Sequence, residues 1–191
     1  MRKAEINRET RETQIRVKVN IDGTGESTIS TSVAFFDHLM RTLALHSRID
    51  LAIQAKGDLK HHIIEDVGLC LGQALREALG ERQGIRRFGY AIVPMDDAMS
   101  IAAVDLASRP YAEIELGVSS NYIEDVNRQE LIHFLETLAS SLSATIHLQN
   151  QYGTNDHHKI EASFKALALS LRQATTLSDD VKLVPSAKGS L

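Results

Sequence analysis

His61-His62-Ile63-Ile64-Glu65 and His157-His158-Lys159-Ile160-Glu161 are two copies of one pattern, and they hold four of the eight histidines in a chain of 191 residues. Each copy opens an apolar-periodic stretch that reads as a helix. Positions i, i+3 and i+4 share a helix face, so either histidine can point the same way as the glutamate. Imidazole beside carboxylate suits a borderline divalent metal. The two copies therefore read as a metal site built from two matching halves.

The likeness extends outward from the motifs. Phe36-Asp37-His38-Leu39-Met40-Arg41-Thr42-Leu43-Ala44 aligns without gaps on Leu131-Ile132-His133-Phe134-Leu135-Glu136-Thr137-Leu138-Ala139. His38 precedes the first motif by 23 residues and His133 precedes the second by 24. A duplication explains this spacing. In the first half, Thr13 to Ile21 alternates as a half-buried strand, with Ile15, Val17, Val19 and Ile21 on one side. Asp22 to Gly25 is a turn, and Glu26 to Ser32 is expected to be the hairpin partner. Thr31 or Ser32 is expected to cap a helix over about 33–46. A strand through Ile49, Leu51 and Ile53 closes at Gly57-Asp58, and the helix carrying the first motif runs to Gly80.

In the second half, strands are expected at about 89–95, 99–106 and 110–117, a helix at 126–142 and a short strand at 144–148. The last helix, capped by Asn155 or Asp156, ends near Thr176. The expected fold is α+β: internally duplicated halves that each run strands, helix, strand, helix, with mixed sheets carrying helices on one side. The halves cover about 1–86 and 87–177 of one domain, and an irregular tail covers about 178–191.

Bulk composition narrows the setting. With 43% hydrophobic and 24% charged residues the chain is an ordinary globular sequence, and a net charge of −4 with interspersed signs leaves no nucleic-acid footprint. No apolar run approaches the roughly 18 residues of a membrane span, and the first residues lack the apolar segment of a signal peptide. Cys70 is the lone cysteine, which excludes an internal disulfide and fits a reducing, cytoplasmic compartment.

Each half offers one early-helix histidine, a His-His pair and a glutamate. The set is His38, His61, His62, Glu65, His133, His157, His158 and Glu161. These divide evenly into two groups of three nitrogens and one oxygen. Adjacent helical histidines diverge by about 100°, so a pair serves two ions better than one. Two metals are inferred, each using both halves, with octahedral positions left open for substrate. A di-iron bundle fits less well, because its Glu-x-x-His order is reversed here and the chain is rich in strands. Metal storage and phosphate-ester hydrolysis remain open on ligand grounds. Arg86, Arg87, Arg109 and Lys188 together could bind a phosphate, the arginines offering planar donor forks.

On these residues the chain resembles the imidazoleglycerol-phosphate dehydratase family of histidine biosynthesis. The resemblance runs from Arg8-Glu9-Thr10-Arg11-Glu12-Thr13 to Pro185-Ser186-Ala187-Lys188-Gly189. Its most specific parts are Phe36-Asp37-His38, the two HHxxE motifs, Gly84-Ile85-Arg86-Arg87-Phe88-Gly89 and Arg109-Pro110-Tyr111. It implies a ribosomal protein S5 domain 2-like fold, a cage of twenty-four subunits with active sites between them, and two manganese ions per site. The implied metal ligands are the eight residues above. The implied substrate contacts are Glu12, His38, His46, Arg87, Arg109, Lys165, Ser186 and Lys188, with both arginines and the tail residues on the phosphate. The implied reaction dehydrates imidazole glycerol phosphate to imidazole acetol phosphate, through a dimanganese-bound imidazolate and a diazafulvene-like intermediate. Glu12 and Glu161 are the candidates for proton transfer, and Lys165 the candidate for steadying negative charge. The chain departs from the family pattern at Lys60, where an acidic residue is usual, at Asp97 for glutamate, and at Ala187 for serine. None of these removes a ligand, although Ala187 takes a hydrogen-bond donor from the tail. The phosphatase domain fused to some bacterial members is not expected.

Overall fold

Alternation decides the first sheet. In the computed structural model, β2 (Thr13–Asn20) buries Ile15, Val17 and Val19 and turns the residues between them outward. It lies between two antiparallel neighbours, β1 (Lys3–Glu9) and β4 (Asp50–Gly57). On the far edge β3 (Ser27–Ser30) runs parallel to β4, and α1 (Ala34–Ser47) makes the crossover between them. The half closes with α2 (Lys60–Leu79).

The second half repeats this order. β5 (Phe88–Met95), β6 (Ala98–Asp105) and β7 (Tyr111–Glu115) are followed by a ribbon of β8 (Tyr122–Ile123) and β9 (Val126–Asn127). Then come α3 (Arg128–Leu142), β10 (Thr145–Tyr152) and α4 (Asp156–Thr175). The two sheets have strand orders β1-β2-β4-β3 and β5-β6-β10-β7, and β7 is again the parallel edge. The architecture is α+β with duplicated halves. The ribbon is the one element without a first-half counterpart among the described residues, which are 1–178 and 185–189. The rest of the expected tail, 179–184 and 190–191, lies outside them.

The helices pair across the duplication: α1 packs against α4, and α2 against α3. One apolar cluster therefore runs through both halves. At its centre Phe36 meets Phe134 edge-on at 5.0 Å, and Phe134 stacks on Phe164 at 6.1 Å, all three fully buried. Among the described residues no helix is long and apolar enough to cross a membrane.

Several local expectations are corrected. The hairpin partner of β2 is β1, whose Ala4 and Ile6 are only partly covered at a sheet edge, so its alternation is faint. Residues 26–32 instead supply β3 on the opposite side of β4. The Asp50 carboxylate accepts from the amides of Thr24, Gly25 and Glu26 at 2.8, 3.0 and 3.1 Å and draws the chain there. A Cβ on Gly23 would lie 2.3 Å from the Asp50 side chain, so a larger residue there would push that carboxylate off these amides. Neither Thr31 nor Ser32 caps α1: the Thr31 hydroxyl donates to Asp37, and Asp125 accepts from the Ala34 and Phe35 amides at 2.8 and 3.0 Å. α3 starts at Arg128, with Asn127 and Glu130 forming a capping box. β10 extends to Tyr152, beyond the expected end at Leu148.

The close approach of α2 to α3 depends on Gly72, where a Cβ would lie 2.6 Å from Ser141 Cβ and 2.8 Å from the Leu138 carbonyl oxygen. Gly72→Ala is expected to destabilise the fold by about 1–3 kcal/mol, read from the denaturant midpoint. An unchanged midpoint would contradict this packing.

Candidate metal centre

The cross-paired helices bring histidines and glutamates together in two places. Near the start of α1, His38 points its Nε2 to within 3.3 Å of Glu161 Oε2 on α4, and His157 Nε2 lies 3.3 Å from the same oxygen. On α2 and α3, His61 Nε2 is 3.6 Å from Glu65 Oε2 and His133 Nε2 is 3.7 Å from Glu65 Oε1. In each triplet the ligand atoms lie within 4.8 Å of one another, a spacing that can hold a metal ion. Each triplet takes one histidine from one half and a His/Glu pair from the other.

The Nε2 of His38 is buried yet makes no hydrogen bond, despite the nearby carboxylate. A polar atom left this way costs on the order of 1–3 kcal/mol, which a cation among the three groups would offset. Imidazole nitrogen and carboxylate oxygen are donors suited to manganese, iron, cobalt or zinc.

The second histidine of each pair joins neither triplet. His62 Nδ1 lies 2.8 Å from Asp58 Oδ1 and 3.9 Å from Glu12 Oε2. His158 Nδ1 lies 2.6 Å from Asp97 Oδ1. Asp97 also accepts from the Thr154 hydroxyl at 2.8 Å and the Asn155 amide at 2.9 Å, pinning the loop that leads into α4. Asn155 then caps α4 by accepting from the His157 and His158 amides. These contacts shift protonation. The hydrogen bond to Asp58 raises the His62 pKa and lowers that of Asp58, and His158 with the loop donors holds Asp97 far below the carboxylate range.

Around Glu161, burial alone would raise the carboxyl, but Lys165 Nζ at 2.9 Å and His38 bring its pKa below the ordinary value. Burial and the Lys165 charge push His46 down. A hollow of about 530 Å³ opens beside His38, His157 and Glu161, with Glu124 and Asp125 of the ribbon in its wall.

A second hollow, of about 400 Å³, gathers Arg87, Arg109, Ser186 and Lys188. Asp105 holds the Arg87 guanidinium at two points, 2.7 and 3.1 Å, and approaches Arg109 at 3.7 Å. Arg87 also donates to the Pro185 carbonyl at 2.9 Å, tying the tail to this place. Arg86 is not among the residues that line it. Within one chain the two hollows share no lining residue. Sequence reasoning gave no site role to Asp58, Asp105, Glu124 or Asp125. Asp58 was detectable from its i, i+4 spacing to His62 and Asp105 from the same spacing to Arg109, whereas Glu124 and Asp125 act over long separations.

The departures from the family pattern find places here. Lys60 donates to the Asp125 carbonyl at 3.1 Å, joining the start of α2 to the ribbon. At residue 97 the aspartate reaches both His158 and the loop.

The family model described as Imidazoleglycerol-phosphate dehydratase matches residues 31–171. The chain is 47% identical to the imidazoleglycerol-phosphate dehydratase of Methanothermobacter thermautotrophicus, covering 100% of this chain and 98% of that protein. It is 44% identical to the one from Acetivibrio thermocellus, over 100% and 99%. Among solved structures, the enzyme from Pyrococcus furiosus is similar at 40% identity and a TM-score of 0.85, covering 97% of this chain and 100% of that one. The Staphylococcus aureus enzyme is similar at 30% identity and a TM-score of 0.85, over 92% and 99%.

Because the folded pKa of Asp97 is depressed, its charge stabilises fully above the unfolded value near about 4 and is lost as pH falls through the folded one. Asp97→Asn should lower the thermal midpoint at neutral pH, and its gap to wild type should close in acid. Asp96→Asn should leave the midpoint in place, since that carboxylate is 75% exposed and only nears His158 at 3.6 Å. A gap that persists unchanged into acid would contradict the role given to the Asp97 charge.

Proposed function

The chain belongs to the imidazoleglycerol-phosphate dehydratase family, and on that premise we propose that it removes water from D-erythro-imidazole glycerol phosphate to give imidazole acetol phosphate in histidine biosynthesis. The observation that carries this reading is the pair of His/His/Glu triplets, each drawn from both halves. His38, His61, His62, Glu65, His133, His157, His158 and Glu161 would hold two manganese ions per site. His62 and His158 turn away from the triplets of their own chain, which supports ligands shared between copies in a cage of twenty-four. A reducing cytoplasm suits the lone, buried Cys70, whose pKa burial raises to about 11.

The chemical difficulty is that the departing hydrogen is not next to a carbonyl and is weakly acidic. The eight ligands would hold ions whose positive charge favours the deprotonated imidazole ring, and an electron-rich ring of that kind would expel the neighbouring hydroxyl by way of a diazafulvene-like species. The protein's own groups then have distinct tasks. Arg87, Arg109, Ser186 and Lys188 hold the phosphate, and Asp105 keeps the Arg87 fork in one orientation. Glu12 and Glu161 carry protons; Glu161, kept ionised by Lys165, begins as an acceptor. Lys165 is placed to steady negative charge as the enol forms, with His46 as a further substrate contact.

Manganese-loaded protein given imidazole glycerol phosphate should form the ketone without releasing inorganic phosphate. Phosphate release would instead indicate hydrolysis, and absence of turnover would indicate metal storage. His62→Ala should lose metal and activity together. Arg109→Ala should raise KM roughly 10- to 100-fold, the effect of one charge-assisted hydrogen bond, with metal content unchanged.

A further inference from the structure

The duplication relates the two triplets, but their surroundings differ. The β8–β9 ribbon stands over the His38/His157/Glu161 triplet and, among the described residues, has no equivalent over His61/Glu65/His133. At its turn, Glu124 has a φ of +52°, a left-handed backbone that glycine adopts freely and a glutamate does not. Its Oε1 nevertheless lies 3.1 Å from His157 Nδ1. The next residue, Asp125, anchors the turn through the Ala34 and Phe35 amides and through Lys60. The turn is thus held in place, and Glu124 is aimed at the ring. Phe35 packs against the same imidazole with centroids 4.9 Å apart.

In the other triplet, the one carboxylate paired with His61 among the described residues is Glu65 itself. The side chain of Glu65 is 39% exposed, against 11% for Glu161. Where Glu161 has Lys165 one turn on, the matching position after Glu65 is Leu69.

We propose that Glu124 is a positioning residue for His157. It accepts a hydrogen bond from Nδ1–H, so that Nε2 is left as the lone-pair atom facing Glu161, and it makes His38/His157/Glu161 the tighter of two inequivalent metal positions. This rests on reading the triplets as metal sites. The physical basis is that a carboxylate on the distal N–H fixes the tautomer and ring orientation of a ligating histidine and raises its basicity.

The test is calorimetric titration of metal-free, full-length protein with manganese, alongside thermal unfolding of the same metal-free samples. Wild type should bind in two affinity classes, and Glu65→Gln should remove the weaker one. Glu124→Gly should weaken the tighter class roughly 10- to 100-fold, the usual loss for an outer partner of a ligand, and leave the weaker class in place. Its metal-free unfolding midpoint should not fall, because glycine suits the backbone there. Glu124→Gln, which keeps an acceptor oxygen, should lie between. Unaltered affinity in Glu124→Gly, equal weakening of both classes, or a fall in the metal-free midpoint would overturn the proposal. Wild-type protein that takes up no manganese would overturn the metal reading beneath it.

Discussion

The packing of α1 on α4 and of α2 on α3 is the constraint on which the rest depends. A half whose helices paired with each other would place its early-helix histidine beside its own motif. Here the Phe36–Phe134–Phe164 cluster locks helices of different halves together, and Gly68 and Gly72 let the α2 and α3 backbones approach. His38 therefore meets His157 and Glu161, and His133 meets His61 and Glu65. The same geometry has a second consequence. Neighbouring side chains on a helix diverge by about 100°, so when the first histidine of a pair faces inward the second must face elsewhere. His62 and His158 do so, each held by a carboxylate.

Electrostatics complete what packing begins. His62, His157 and His158 each have a carboxylate beside Nδ1: Asp58, Glu124 and Asp97. These acids come from three different kinds of element: the turn before a helix, the bend of a ribbon and the turn of a strand pair. The halves share a backbone plan, but they orient their histidines with different neighbours. Glu161, enclosed and paired with Lys165, stands in a different field from the more open Glu65.

Features with a short period were legible in the chain itself. The α+β order follows from helical spacing and from alternation such as that of Ile15, Val17 and Val19, and the duplication from the matched distances of His38 and His133 to their motifs; which residues meet in the triplets depends on the cross-pairing of the helices. Edges and long-range contacts were less legible. β1 leaves little alternation because an edge strand covers Ala4 and Ile6 only in part, and β3 lies on the far side of β4 from where its sequence position suggests because Asp50 redirects the turn from a distance. The cap of α1 comes from Asp125, and a side chain 91 residues away leaves no local signature. Glu124, 33 residues from His157, leaves none either.

Anomalous diffraction at the manganese edge, from crystals of metal-loaded protein, tests the central claim most directly. Two peaks per chain are expected, one bounded by His38, His157 and Glu161 and the other by His61, Glu65 and His133. A single peak, or peaks away from both triplets, would contradict the account.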